Sequence, residues 1–146
     1  MTNQPNFSLF KFKHSLRVRW AEVDPQQVVF NGHYLTYFDV AFTEYFRALG
    51  LTYPDGLKQY NCDMYVRKTT IEYHAPARFD NELTIYVRTS SIGNTSITIQ
   101  MEITCQQQHL ISGTLIYVNV DVQTQRPMTL PQGVREVFER YDNLTT

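Results

Sequence analysis

Between residues 35 and 49 the polar side chains Thr36, Asp39, Thr43, Glu44 and Arg47 recur with helical spacing. At about 100° per residue they fall within a stripe covering roughly 140° of the circumference. The remaining arc is Leu, Phe, Tyr, Val and Ala, wider than a one-sided amphipathic helix needs, so the pattern predicts a long helix nearly enclosed by other elements. Gly50 suits the left-handed position that stops such a helix, with Leu51 folding back as its apolar contact.

Elsewhere the period is two. Over residues 15–22, Leu16, Val18 and Trp20 alternate with Arg17 and Arg19, predicting a strand with one dry face. In residues 63–74, Met64 and Val66 share one parity and Ile71 and Tyr73 the other, which predicts a strand with a bulge at 68–70. Residues 82–91 (Leu83, Ile85, Val87) and 96–106 (Ile97, Ile99, Met101, Ile103) flank the turn signal Gly93-Asn94 and predict a hairpin. Residues 110–122 are apolar on both parities around 115–120, as in a strand covered on both sides or lying at a subunit contact. Pro54 and Gly56 mark 52–60 as a loop with one short helical turn, 123–131 is a second loop, and 134–141 reads as a short helix with Val134, Val137, Phe138 and Tyr141 on one side.

The order predicts an α+β fold: an antiparallel five-stranded sheet wrapped around a long central helix. One domain spans 1–146, with its core at about 15–141, since a chain of 146 residues buries one sizeable core. Such a sheet leaves its outer face bare, and a second copy of the chain is the economical cover, which predicts a homo-oligomer. Thirteen Lys and Arg against fourteen Asp and Glu argue against nucleic acid or an anionic membrane as the main partner. No apolar run suits a secretion signal or a membrane span, and Cys62 and Cys105, spaced singly, read as reduced thiols; a cytoplasmic protein is expected.

Candidate chemistry gathers ahead of the long helix. Pro25 pushes Asp24 into an extended conformation, placing a carboxylate at a strand end. Asn31 and Gly32 are N-cap candidates, so the first free amides of a buried helix would face whatever lies beside Asp24 and stabilise negative charge developing there. Glu22 shares the strand face by parity and reads as a solvated edge residue. His14, His33, His74 and His109 match no zinc spacing, so no metal is expected. Gly-x-Ser-x-Gly is absent, Cys62 lacks a basic partner nearby in sequence, and neither phosphate-loop nor dinucleotide glycine signatures occur.

The same stretch carries a resemblance. Asp24-Pro25, then Val28-Val29-Phe30-Asn31, Tyr34 and Tyr37-Phe38-Asp39, continued in residues 73–83, in Ile92-Gly93-Asn94-Thr95-Ser96 and in 121–131 with Arg126-Pro127 and Pro131, resembles the hotdog-fold acyl-CoA thioesterases of the 4-hydroxybenzoyl-CoA thioesterase type, over about 16–138. The resemblance implies hydrolysis of an acyl-CoA to a carboxylic acid and free coenzyme A, without metal or organic cofactor, in a homodimer or homotetramer. It implies Asp24 as nucleophile or general base and the backbone amide at Asn31 as the oxyanion donor. It also implies substrate contacts from Phe30, Gly32, His33 and Tyr34, a carboxylate at Asp39 near the substrate, and basic contacts to the coenzyme A phosphates, for which Arg67, Lys68, Arg78, Arg88 and Arg126 are the candidates. Gln27 stands where many relatives have glycine, so the loop must turn without glycine's freedom. Two alternatives stay open: a hotdog hydratase of 2-enoyl thioesters, with His33 as the nearby base, and a non-catalytic acyl-CoA-binding protein.

Overall fold

A computed structural model describes residues 4–144. The long helix, α1, runs His33–Leu49 and ends as its sequence requires: Gly50 sits at φ 81°, and the Leu51 amide reaches back to the Phe46 carbonyl. Tyr34, Tyr37, Phe38, Ala41, Phe42, Tyr45 and Phe46 form its buried face. They pack on one sheet built from β1 (Phe12–Arg17), β2 (Cys62–Tyr73), β3 (Glu82–Ile92), β4 (Ser96–Cys105) and β5 (Gln108–Asp121). The spatial order is β1-β3-β4-β5-β2, antiparallel throughout, with β3 and β4 joined by the Gly93-Asn94 turn. Two short helices complete the chain, α2 (Asp55–Lys58) and α3 (Gln132–Tyr141).

Shape decides how closely α1 approaches the sheet. A Cβ at Gly113 would lie 2.5 Å from Phe38 Cζ, so the absent side chain makes room for the phenyl ring on β5. One turn further, Phe42 lies parallel to Tyr117 with ring centroids 4.1 Å apart. Each such buried aromatic is worth roughly 1.5–3 kcal/mol of apolar transfer.

Several expectations are corrected in detail. The first strand spans Phe12–Arg17 rather than 15–22: Val18 exchanges backbone hydrogen bonds with residues 80 and 81, and the chain then turns through a 3₁₀ segment, Trp20–Glu22. Trp20 is accordingly 73% exposed instead of on the dry face. Asp24 does not end a strand; it follows an isolated bridge, Val23 to Val29. The β2 irregularity falls between Val66 and Lys68, just ahead of the expected place. The helix is enclosed on one side only, because a single chain supplies one layer: Leu35 (48%) and Val40 (41%) stay exposed. Glu22 is the clearest correction. It is 7% exposed, held by hydrogen bonds from the Arg19 amide (2.8 Å) and the Tyr37 hydroxyl (2.9 Å) and by the Arg19 guanidinium (3.2 Å).

At the far end of α1, the Tyr45 hydroxyl donates to the Asp142 carboxylate, which also accepts the Thr89 amide. Burial pushes Asp142 above the usual carboxylate range. Both cysteines are free thiols, Cys62 buried and Cys105 half-buried.

Candidate functional site

The start of α1 is approached by two crossing segments. Residues 23–29 form a small hairpin, closed by the Val23–Val29 bridge and by hydrogen bonds from the Asp24 amide to Val28 O (2.9 Å) and from the Phe30 amide to Glu22 O (3.0 Å). The second segment, 74–79, leaves β2 and lies alongside. The Val29 amide donates to Ala77 O (2.8 Å), the Ala77 amide donates to the Tyr34 hydroxyl (3.0 Å), and the Tyr73 hydroxyl donates to Asn31 O (3.3 Å). Glu22 locks the base of the hairpin to the second turn of α1 through Tyr37. Burial alone would raise its pKa, but the Arg19 amide, the Tyr37 hydroxyl and the Arg19 guanidinium outweigh it and hold the carboxyl below the usual range.

Asp24 sits half-buried at the turn of this hairpin. One of its oxygens accepts the Gln26 amide (2.8 Å) and its carbonyl accepts the Gln27 amide (2.8 Å). Gln27 takes φ 65°, the left-handed conformation a glycine would adopt freely, so the turn is made with glutamine at a cost of about 1–2 kcal/mol.

Asp24 lines two cavities. One, of about 280 Å³, is lined by Asp24, Gln26, Val28, Val29, Asn31, Tyr34 and residues 73–76. The other, of about 690 Å³, is lined by Trp20, Val23, Asp24, Pro25, Gln27, Arg78 and Phe79, with the Trp20 and Phe79 rings edge to face at 5.1 Å. The helix begins at His33, whose amide returns to Phe30 O, with Gly32 at the N-cap position and no side-chain cap. The amides of Asn31 and Gly32 find no acceptor among the described residues. Burial pushes Tyr34 up against the lowering effect of the Ala77 hydrogen bond, with Tyr73 and Asp24 adding to the rise, so its phenol is a neutral hydrogen-bonding group.

Of the sequence-stated candidates, Asp24, Asn31 and Tyr34 therefore share one cavity. Phe30 and His33 pack on each other outside it, with ring centroids 5.6 Å apart, and Gly32 lies beneath the Phe30 ring, where a Cβ would come within 2.9 Å. Asp39 is exposed on α1; its charge is felt at Tyr53 and Tyr117 instead. Arg67 and Lys68 are exposed at the β2 irregularity and line neither cavity. Of the five basic candidates, Arg78 is the one that lines a cavity. Sequence reasoning missed Trp20, Phe79 and His74 as lining residues. Trp20 sat on a strand pattern, and only the Ala75-Pro76 break hinted that 74–79 leaves the sheet. Among the described residues no three His, Cys, Asp or Glu side chains gather as a metal would require.

The chain is 28% identical over 130 residues to the acyl-CoA thioester hydrolase YbgC of Escherichia coli O6:H1, covering 88% of this chain and 96% of that protein. Its fold matches the crystal structure of YbaW, a probable thioesterase from Escherichia coli, with TM-score 0.75 at 26% identity over 88% of this chain and 96% of that one. It also matches a DHNA-CoA thioesterase from Staphylococcus aureus with TM-score 0.82, at 19% identity over 90% of this chain and 91% of that one. The family profile described as the thioesterase-like superfamily matches residues 18–138. A five-stranded antiparallel sheet around one long helix, shared with these thioesterases, is the hotdog fold, and the chain belongs to the thioesterase-like superfamily as a hotdog thioester hydrolase.

Proposed function

We propose that the protein hydrolyses an acyl-CoA thioester to a carboxylic acid and free coenzyme A, with Asp24 supplying the reactive carboxylate. One observation carries the reading: Asp24 and the open start of α1 at Asn31 line a single cavity. A thioester carbonyl placed there has a carboxylate on one side and, on the other, the Asn31 and Gly32 amides at the positive end of the helix dipole. Asp24 either attacks the carbonyl, giving a mixed anhydride that water opens, or takes a proton from the attacking water; both routes place negative charge on the carbonyl oxygen, where the amides compensate it. The names of relatives such as YbgC supply the acyl-CoA class. The hydratase alternative loses its residue, because His33 packs against Phe30 and lines neither cavity.

The working form is proposed to be a homo-oligomer. β2 pairs on one side only, and Tyr65 (45%), Val66 (54%) and Tyr73 (52%) are exposed on it.

Release of coenzyme A thiol from a panel of aliphatic and aromatic acyl-CoAs tests the mechanism, comparing wild type with Asp24→Asn. The variant, with an unchanged melting curve, should lose at least ~10²-fold in kcat, the scale of a missing general base. Full activity in the variant would remove Asp24 from the chemistry; an inert wild type that binds coenzyme A would favour a binding protein.

A further inference from the structure

Where the outer face of the sheet meets the segment that leaves β2, four polar side chains from three segments touch. Glu102 on β4 and Ser112 on β5 are direct cross-strand partners, and the Ser112 hydroxyl lies 2.5 Å from Glu102 Oε1. His109 Nε2 lies 3.0 Å from the same oxygen and 3.2 Å from Ser112 Oγ. His74 Nε2, from the segment that leaves β2, lies 3.0 Å from Ser112 Oγ, with its ring 4.6 Å from that of His109. The side chains of Glu102 and His109 are buried; His74 is exposed and lines the cavity that holds Asp24 and Asn31.

Hydrogen-bond arithmetic then constrains His74. A carboxylate only accepts, so Ser112 gives its proton to Glu102 and His109 gives its Nε2 proton to the same oxygen. Ser112 Oγ is left with lone pairs alone for His74, so the neutral His74 ring donates from Nε2 and keeps Nδ1 as its free, accepting nitrogen. Burial raises the Glu102 pKa, and the Ser112 and His109 hydrogen bonds work against that rise and support the ionised form.

We propose that His74 is a substrate-contacting residue of the Asp24 cavity, held in one tautomer by the Ser112–Glu102–His109 cluster, and that its Nδ1 accepts the amide N–H on the thiol side of the substrate. The inference rests on the acyl-CoA reading. In coenzyme A that amide is joined to the sulfur by a short methylene link, so a thioester whose carbonyl meets Asp24 carries the amide into the same cavity. A plain alkyl thioester carries no such donor. Ser112, Glu102 and His109 are positioning residues, acting only through the His74 ring.

The experiment compares wild type, His74→Ala, Ser112→Ala and the double variant on two acyl thioesters, one of N-acetylcysteamine, which keeps the amide, and one of ethanethiol, which lacks it. His74→Ala should raise KM for the amide-bearing substrate ~3–10-fold, the size of one hydrogen bond, with kcat little changed and no effect on the ethanethiol ester. Ser112→Ala should give part of that loss, and the double variant should be no worse than His74→Ala alone. Equal penalties on both substrates, or additive losses, would overturn the proposal. Nitrogen-15 chemical shifts of the His74 ring give a readout independent of turnover: Nε2–H in wild type and a mixture in Ser112→Ala. A mixed wild-type tautomer sinks the proposal even if the enzyme is active. A fixed tautomer in a chain inert toward every thioester overturns the substrate contact together with the acyl-CoA reading, and leaves the cluster as structure alone.

Discussion

At its C-terminal end α1 is closed by aromatic packing. Phe46 meets Phe138 of α3 edge to face at 5.6 Å, Tyr45 meets Tyr141 at 5.8 Å, and the Tyr45 hydroxyl ends on a buried carboxylate. At its N-terminal end the same helix begins with bare amides, a glycine cap and a half-buried aspartate that lines two cavities. The acids show the difference most plainly. Asp142 is spent on joining α3 to α1 and β3, whereas Asp24 is tied only to its own loop and has a face left over. A helix sealed at one end can leave the other end open, because the sealed end and the sheet carry the burial that holds it in place.

That contrast can be broken in three places. Phe138→Ala empties the sealed end and should cost about 3–5 kcal/mol in chemical denaturation, yet leave kcat per folded molecule as in wild type; a matching fall in kcat would show that the ends are not separable. Glu22→Gln strikes the join between hairpin and helix, and should cost about 1.5–3 kcal/mol at neutral pH and lower activity as well. Because the native pKa of Glu22 is depressed, its contribution is present above the ordinary glutamate range and is lost as the pH falls through the native value. The gap between wild type and variant should therefore narrow in acid; a gap that holds constant down to pH 3 would refute the assignment. Gln27→Gly is the mildest change: relief of the left-handed glutamine is offset by glycine's extra freedom in the unfolded chain, so unfolding should shift by no more than about 0.5 kcal/mol, read by urea titration. A shift well beyond that would mean the Gln27 side chain does more than turn the loop.

Much of this was legible in the chain. Period-two alternation located β3 and β4 closely, overlapped β1 at residues 15–17 and marked the irregular β2, a run apolar on both parities located β5, and the wide apolar arc located α1, because each depends on side chains of one class recurring along one element. The site was partly legible: Asp24 and Asn31 lie in one continuous stretch, and their nearness needs only a short hairpin. Glu22 was misjudged because parity along a strand was applied where the chain had already left the sheet for a 3₁₀ turn, which aims the carboxylate inward at Tyr37. His74 was invisible for a different reason. Its partners Glu102, His109 and Ser112 are distant in sequence, and only the pairing of β4 with β5 and the exit of residue 74 from β2 bring them together.

The bare side of β2 has a further consequence. A twelve-residue strand with one row of unspent amides and carbonyls is adhesive toward any extended chain, so a lone subunit at high concentration risks open-ended stacking into fibrils. Arg67 and Lys68, placed where the strand's regularity already breaks, put two positive charges on that rim. Replacing them with neutral, β-branched residues would remove the charge that repels such growth, and turbidity during expression would register the loss.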